Sequence, residues 1–273
     1  MSSPMSSPFP HADAFGAPIR HDGWQVRAAS AREFPALAAL RGRAFRGGGE
    51  DGDAFDARCL HLWVEGYAMR PGEPLATLRA QAHPEGDLAQ GYAAQFFDLA
   101  GLARAPGPVL ELGRLCVDPA HPAPDAMRLI WAGVTRLAAV TGAARLIGCT
   151  SFSGTDPGAF AEGLRLLAAR HLGPAGQRPP ALAAGAVDCS TFAPPPPPPG
   201  PEAPGRLPPL LRAYLALGGW GGNDLVIDRD LGTSHVFTCV EIAAMPEPRK
   251  RLLRALAGEA AGASPLDPVP AAR

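Results

Sequence analysis

Apolar residues along the chain fall into short blocks with two distinct periods. Trp24, Val26 and Ala28 alternate, as one face of a strand does. Phe34, Leu37, Ala38, Leu40, Ala44 and Phe45 then recur three and four apart, which predicts a helix over 31–45, stopped by Gly47-Gly48-Gly49. Strand-like runs follow at 60–65, 75–82 and 109–117. A helix fits 125–140, with Met127, Ile130, Trp131, Val134 and Leu137 on one side. A short strand at 145–150 and a helix at 158–171 come next. A stretch without period, 173–205, reads as a Pro-rich surface loop. Beyond it the pattern predicts a strongly apolar helix at 208–217, strands at 226–227 and 236–240, and an exposed helix at 247–257. This order of elements predicts an α/β fold, a central mixed twisted sheet flanked by helices.

Composition sharpens that picture. The chain has 273 residues, 47% of them apolar, enough for a substantial core. Gly and Pro, 32 of each, gather at the ends and in 194–204, so residues 1–22 are expected to be a disordered tail, 23–245 the folded domain, and 246–273 a helix with a flexible tail. The formal net charge is -1, which excludes a nucleic-acid binder relying on a basic surface. Among the 25 basic residues only Lys250 is a lysine, so cationic recognition rests on guanidinium groups. No run of about 18 uncharged apolar residues is present to span a membrane. Residues 1–10 lack the basic start and apolar stretch of a secretory signal, and cytoplasmic localisation is expected. Cys59, Cys116, Cys149, Cys189 and Cys239 are odd in number and form no Cys-x-x-Cys pair, as buried reduced thiols would.

Several chemistries fail at the level of motif. The chain has no Gly-x-Ser-x-Gly elbow, no His-Glu-x-x-His helix, no phosphate-binding Gly-x-x-x-x-Gly-Lys loop, and no His-x-x-x-x-Asp pair. Asp51-Gly-Asp53-Ala-Phe55-Asp56 begins like a calcium loop but lacks its glycine at the sixth position and has Leu62 at the twelfth, so no metal is expected.

Four polar clusters remain beside or inside strands: Arg41 and Arg43 near Phe45; Asp53 and Asp56 before Cys59; Arg79 within 75–82; and Glu111-Leu112-Gly113-Arg114 before Leu115-Cys116-Val117. Charge on a buried strand is costly unless paired, so these residues read equally as an ion-pair network that only stabilises the sheet or as chemistry. Gly113 is harder to explain as packing, because a glycine inside a strand often marks a bulge or a close backbone approach.

Leu40-Arg41-x-Arg43-x-Phe45, Asp51-x-Asp53-x-Phe55-Asp56-x-x-Cys59-x-His61-Leu62 and Glu111-Leu112-Gly113-Arg114-x-Cys116-Val117 resemble the bacterial L-ornithine N-alpha-acyltransferases, the ornithine lipid synthases sometimes labelled putative hemolysins. So do 148–157, the run Leu207-Pro208-Pro209-Leu210-Leu211-Arg212-x-Tyr214-Leu215, and Ile227-Asp228-Arg229-Asp230-x-Gly232-Thr233. The likeness covers about 24–240, with Gly42 and Gly47–Gly49 departing from the bulkier residues expected there. That family is similar in turn to the acyl-homoserine lactone synthases, both of the GNAT fold.

The resemblance implies transfer of a 3-hydroxyacyl group from acyl carrier protein to the α-amine of L-ornithine, with the phosphopantetheine arm as donor and no permanently bound cofactor. It implies Glu111 as the group that takes the amine proton, directly or through water, with Arg114 fixing its orientation. Asp53 and Asp56 suit the cationic end of the substrate, Arg43 or Arg79 its carboxylate, and Phe152 the acyl chain or the core. Backbone groups of Leu115, Cys116 and Val117 suit the donor arm. An acyl-carrier donor has independent support: the segment 118–124, where coenzyme A users place a glycine-rich loop, carries three prolines and no glycine. Arg128, Arg136, Arg145, Arg165 and Arg170 are candidates for the surface that meets the acidic carrier. A lactone synthase and a catalytically silent carrier-binding module are the rival readings. The helix at 208–217 suits either a peripheral membrane contact or burial.

Overall fold

The computed structural model describes residues 12–67, 70–83, 88–121, 124–192 and 207–258. In chain order its elements are α1 (Ala12–Phe15), β1 (Ile19–His21), β2 (Trp24–Ala28), α2 (Phe34–Phe45), β3 (Leu60–Glu65), β4 (Ala76–His83), α3 (Ala100–Ala103), β5 (Val109–Val117), α4 (Pro124–Thr141), β6 (Arg145–Ser153), α5 (Ala161–Arg170), β7 (Val187–Asp188), α6 (Pro209–Ala216), β8 (Trp220–Asp228), β9 (Thr233–Glu241) and α7 (Glu247–Ala257). The chain folds as two compact units interleaved in sequence. The first takes the described residues up to Ala82, those from Leu112 to Ala143, and those from Glu247 onward; the second takes His83–Glu111 and Ala144–Pro246.

In the first unit, β1, β2, β3 and β4 pair antiparallel in sequence order, with Val26 opposite Val64 and Leu62 opposite Leu78. All six residues of β3 are buried, so this strand is covered on both faces. Gly133 lets α4 lie close: a β-carbon there would stand 2.8 Å from Leu62 Cδ1 and 3.2 Å from Val26 Cγ2. The Arg136 guanidinium donates to the carbonyls of Phe15, Ala17 and Ala257, fastening α1 and α7 to α4.

In the second unit, β6, β9, β8 and β7 pair antiparallel in that order. Alternation along β9 separates two cores: Phe237 and Cys239 join Phe97, Leu102, Val109 and Ile147, whereas Val236 joins Phe152, Leu164, Leu167 and Leu211.

Most elements lie where the periodicity predicts them, and the departures have physical reasons. Phe15 and Ile19 are buried and β1 pairs with β2, so the stretch from Ala12 belongs to the fold rather than to a loose tail. Strand β8 begins six residues earlier than expected because Gly221, Gly222, Asn223 and Asp224 hide its alternation. The pairing with β9 shifts register between Gly221 and Leu225. The Pro-rich stretch contains β7 and a short 3-10 turn with Cys189 buried; its last part, 193–205, lies outside the described residues. Residues 1–11 and 259–273, where the outer parts of the tails were expected, lie outside them too. Helix α6 buries Leu211 and Tyr214, so packing accounts for its apolar face. Helix α7 is only partly exposed, since Lys250, Leu253 and Ala257 are buried.

Candidate active site

The first unit gathers the charged residues that flank the strands. Arg41 stands on the same stripe of α2 as Leu37 and Leu40 and is fully buried. Its Nε donates to Asp51 Oδ2 at 2.9 Å and its Nη1 to Asp56 Oδ1 at 2.8 Å. Arg79, from β4, donates through Nη1 to Asp53 Oδ1 at 2.6 Å and Asp56 Oδ1 at 2.8 Å. Arg114, from β5, donates to Asp51 at 2.9 Å and Asp53 at 3.2 Å. Arg46 adds a contact of 3.0 Å to Asp51. The aspartates are thus met by guanidinium groups.

This network determines protonation. Burial alone would raise the carboxyl of Asp56, but the hydrogen bonds and charge of Arg41 outweigh it and hold the group at about 2. Burial likewise opposes, and Arg114 with Arg41 reverses, the shift of Asp51, which is lowered. Burial would lower the Arg79 guanidinium, but Asp53 and Asp56 raise it. His61, whose Nε2 faces the Asp56 carbonyl at 3.1 Å, is pushed down to about 4 by burial. Because its folded value lies below the ordinary one of 6.5, the unfolded chain binds the extra proton, so stability is lost as pH falls from about 6.5 toward 4. Asp56 adds a second loss between its ordinary 3.8 and about 2. Urea midpoints measured from pH 7.5 to 3.5 are therefore expected to fall with acid, and His61→Phe is expected to flatten the upper part of that slope.

Arg114 adopts φ +49, a left-handed conformation rare outside glycine, directly after Gly113. The irregularity anticipated from Gly113 therefore exists, carried by the next residue. A β-carbon at Gly113 would meet Arg79 Nε at 3.3 Å, so the glycine leaves room for that guanidinium. Gly42 has a similar origin: a β-carbon there would land on the Gly49 carbonyl and within 3.0 Å of Glu50 Cα. The small residues around the first helix are thus a matched set.

Glu111 belongs to the second unit and has different partners from those expected. Its Oε1 accepts from the amide of Ala93 at 2.7 Å, and its Oε2 from the amide of Tyr92 at 3.0 Å. His83, at the end of β4 and fully buried, places Nε2 3.1 Å from the same Oε2. The orienting role expected of Arg114 is therefore filled by His83 and the turn at 92–93, while Arg114 serves Asp51 and Asp53. Alternation sets positions 111 and 114 on opposite faces of a strand, so the strand pattern itself never supported that partnership. Gly91 makes the cradle possible: a β-carbon there would fall on Glu111 Oε2 and stand 3.2 Å from His83 Cε1. Gly91→Val is expected to lower kcat at least tenfold with a smaller change in KM, measured by steady-state kinetics; unchanged kcat would show that the cradle is not needed.

The remaining expected residues separate by role. Arg43 is half exposed and donates to Asp118 at 3.2 Å. Asp118 also accepts from the amide of Ala120 at 3.0 Å, so this segment presents a carboxylate at the place where a pyrophosphate would need amides. Leu115 and Val117 are half-buried and Cys116 is buried, its thiol pushed up to about 12 by burial, which disfavours a thiolate nucleophile there. Phe152 packs against Phe160 and Leu164 in a different core cluster from Ala93 of the Glu111 cradle. Arg136 and Arg145 are occupied by backbone carbonyls, and Arg165 donates to the Phe192 carbonyl; Arg128 and Arg170 are exposed. No described helix is long and apolar enough to cross a membrane.

Residues 37–132 match a family model described as an acetyltransferase (GNAT) domain, which puts that stretch in the GNAT class. The chain is 31% identical over 208 residues to the L-ornithine N(alpha)-acyltransferase of Rhodobacter capsulatus, covering 72% of this chain and 76% of the relative. It is 32% identical over 198 residues to the enzyme of the same name from Brucella abortus, covering 70% of each. The chain belongs to the L-ornithine N(alpha)-acyltransferase family. Among solved structures it is similar to FeeM, an N-acyl amino acid synthase from uncultured soil microbes, at TM-score 0.47 and 12% identity over 89% of this chain and 98% of that one.

Proposed function

We propose that this protein transfers a 3-hydroxyacyl group from acyl carrier protein to the α-amine of L-ornithine, the first step of ornithine lipid formation. Family membership supports the acceptor, and the observation that carries the chemistry is the Glu111 cradle. Amide formation from a thioester requires an unprotonated amine and a place for the proton it loses. The amine nitrogen attacks the thioester carbonyl, the N–C bond forms, the C–S bond breaks, and the thiol leaves with a proton. With an ionised Glu111 as acceptor, His83 Nε2 carries hydrogen, and the pair can take one further proton on the imidazole while both amides keep their hold on the carboxylate. Protonating the carboxylate itself would sacrifice one of those bonds, so His83 is part of the proton-accepting unit and Glu111 its anchor.

Asp53 and Arg43 are the more exposed members of their pairs and suit the ammonium and the carboxylate of the acceptor, while Asp56 and Arg79 hold Asp53 in place and Asp118 holds Arg43. The irregular backbone at 113–114 suits the tetrahedral oxyanion, and the backbone of Leu115, Cys116 and Val117 suits the amides of the phosphopantetheine arm. A carrier-borne donor is favoured over coenzyme A by Asp118 and by the prolines around it, which supply neither amides nor positive charge for a pyrophosphate. The product is an amphiphile, and a peripheral contact at the inner face of the cytoplasmic membrane is part of this reading.

Mass spectrometry of lipids from bacteria expressing the chain tests the proposal. A new lyso-ornithine lipid is the expected product. An acyl-homoserine lactone instead would favour the synthase reading, and no new acylated amine would favour a silent carrier-binding module.

A further inference from the structure

Strand β9 carries a histidine that the proposed chemistry does not use. His235 is 2% exposed and shares a face of the strand with Phe237 and Cys239. Its ring stands edge-on to Phe96 at 4.7 Å between centroids and to Phe97 at 5.9 Å. Phe96 in turn meets the ring of Tyr92 at 5.3 Å, and Tyr92 is the residue whose amide holds Glu111. A run of ring contacts thus leads from His235 to the turn that cradles Glu111, all within one compact unit.

Nε2 of His235 has no hydrogen-bond partner among the described residues. Burial pushes the imidazole down to about 4, with Asp228 opposing weakly, so near neutrality the ring holds one hydrogen and one lone pair. Buried polar groups of this kind are normally satisfied, and an orphan beside a reaction centre calls for a ligand atom. A hydroxyl can serve whichever nitrogen holds the hydrogen, because it both donates and accepts. A plain hydrocarbon would leave Nε2 stranded, and the aromatic surroundings suit an acyl chain rather than a charged acceptor. Directly across the sheet from His235 stand Ser151, which is exposed, on β6 and Val226, which is buried, on β8.

We infer that His235 recognises the 3-hydroxyl of the donor acyl group and sets the preference for hydroxylated over plain acyl chains. This inference rests on the proposed 3-hydroxyacyl donor and adds the residue that reads it. No proton transfer is assigned to His235; it is a specificity residue.

The test uses the full chain, its His235→Phe and His235→Gln variants, and acyl carrier protein loaded with 3-hydroxytetradecanoyl or tetradecanoyl thioester. Phe matches the volume and the ring contacts, and Gln keeps a hydrogen-bonding end should Phe fail to fold. Donor binding is measured without acceptor, and kcat/KM with ornithine. The wild type is expected to favour the hydroxylated donor roughly 30-fold, a difference of about 2 kcal/mol. In His235→Phe that ratio should fall to about threefold or less, through loss on the hydroxylated donor alone, and His235→Gln should recover part of it. A wild type that binds both donors equally, or a Phe variant that keeps the preference, would overturn the inference. A hydroxyl preference in binding without ornithine acylation would uphold it while removing the proposed acceptor.

Discussion

Glu111→Gln is expected to lower kcat by about 100-fold or more, within the range typical for loss of a positioned proton acceptor. The substitution keeps the size of the side chain but removes the charge. It also places an amide NH2 where the turn at 92–93 or His83 already points hydrogen at the carboxylate. Two donors then face each other, and the imidazole loses the anion that lets it accept a proton. Rates of the variant should climb with pH as solvent alone frees more of the substrate amine, whereas the wild type should level off. His83→Asn should show the same pH signature with Glu111 still ionised, separating the proton-accepting unit from mere support of the turn. If Glu111→Gln stays within about threefold of wild type across pH, the assignment is wrong.

Arg41→Met is the substitution with the largest expected cost in stability, about 3–5 kcal/mol, because it removes the one fully buried cation that Asp51 and Asp56 share and leaves them to Arg46, Arg79 and Arg114. Arg41 and Asp51 have no exposed side-chain surface at all, so water cannot take over the solvation. Adding Asp51→Asn and Asp56→Asn to Arg41→Met should restore part of the loss, since neutral amides tolerate burial better than unpaired carboxylates. Chemical unfolding of the three proteins measures it. A single variant as stable as wild type would mean that the network contributes nothing net, as some buried ion pairs do.

The strands and helices that bury one clear face were legible from their periods, because alternation and three-to-four spacing follow from backbone geometry alone. Strand β8 was only half legible, since two glycines and Asn223-Asp224 carry no apolar signal while their backbone still pairs. Glu111 and the arginine–aspartate residues stood out because charge inside an apolar run demands an explanation. Their pairing did not: Glu111 meets His83 and the amides of Tyr92 and Ala93, and Arg114 meets Asp51 and Asp53. Alternation sets 111 and 114 on opposite faces, and it reports nothing of the loops from which most of their partners come. His83 carries a signal in the sequence. Thr77, Arg79, Gln81 and His83 form a period-two polar series along β4, so a strand drawn one residue longer would have placed His83 on the face of Arg79. The amides of Tyr92 and Ala93 had none, because they lie in a short 3-10 turn whose backbone groups no side-chain pattern reports. Arg41 was visible as a charge on the stripe of Leu37 and Leu40, and Asp51 as the first acid of the loop that meets it.

One measurement bears most directly on the chemistry: the purified chain is incubated with 3-hydroxyacyl carrier protein and ornithine labelled with nitrogen-15 at the α position, and the product is fragmented in a mass spectrometer. The account predicts an amide whose acyl-bearing nitrogen is the labelled one. An acyl group on the side-chain nitrogen, or carrier protein that remains loaded while ornithine is untouched, would contradict it.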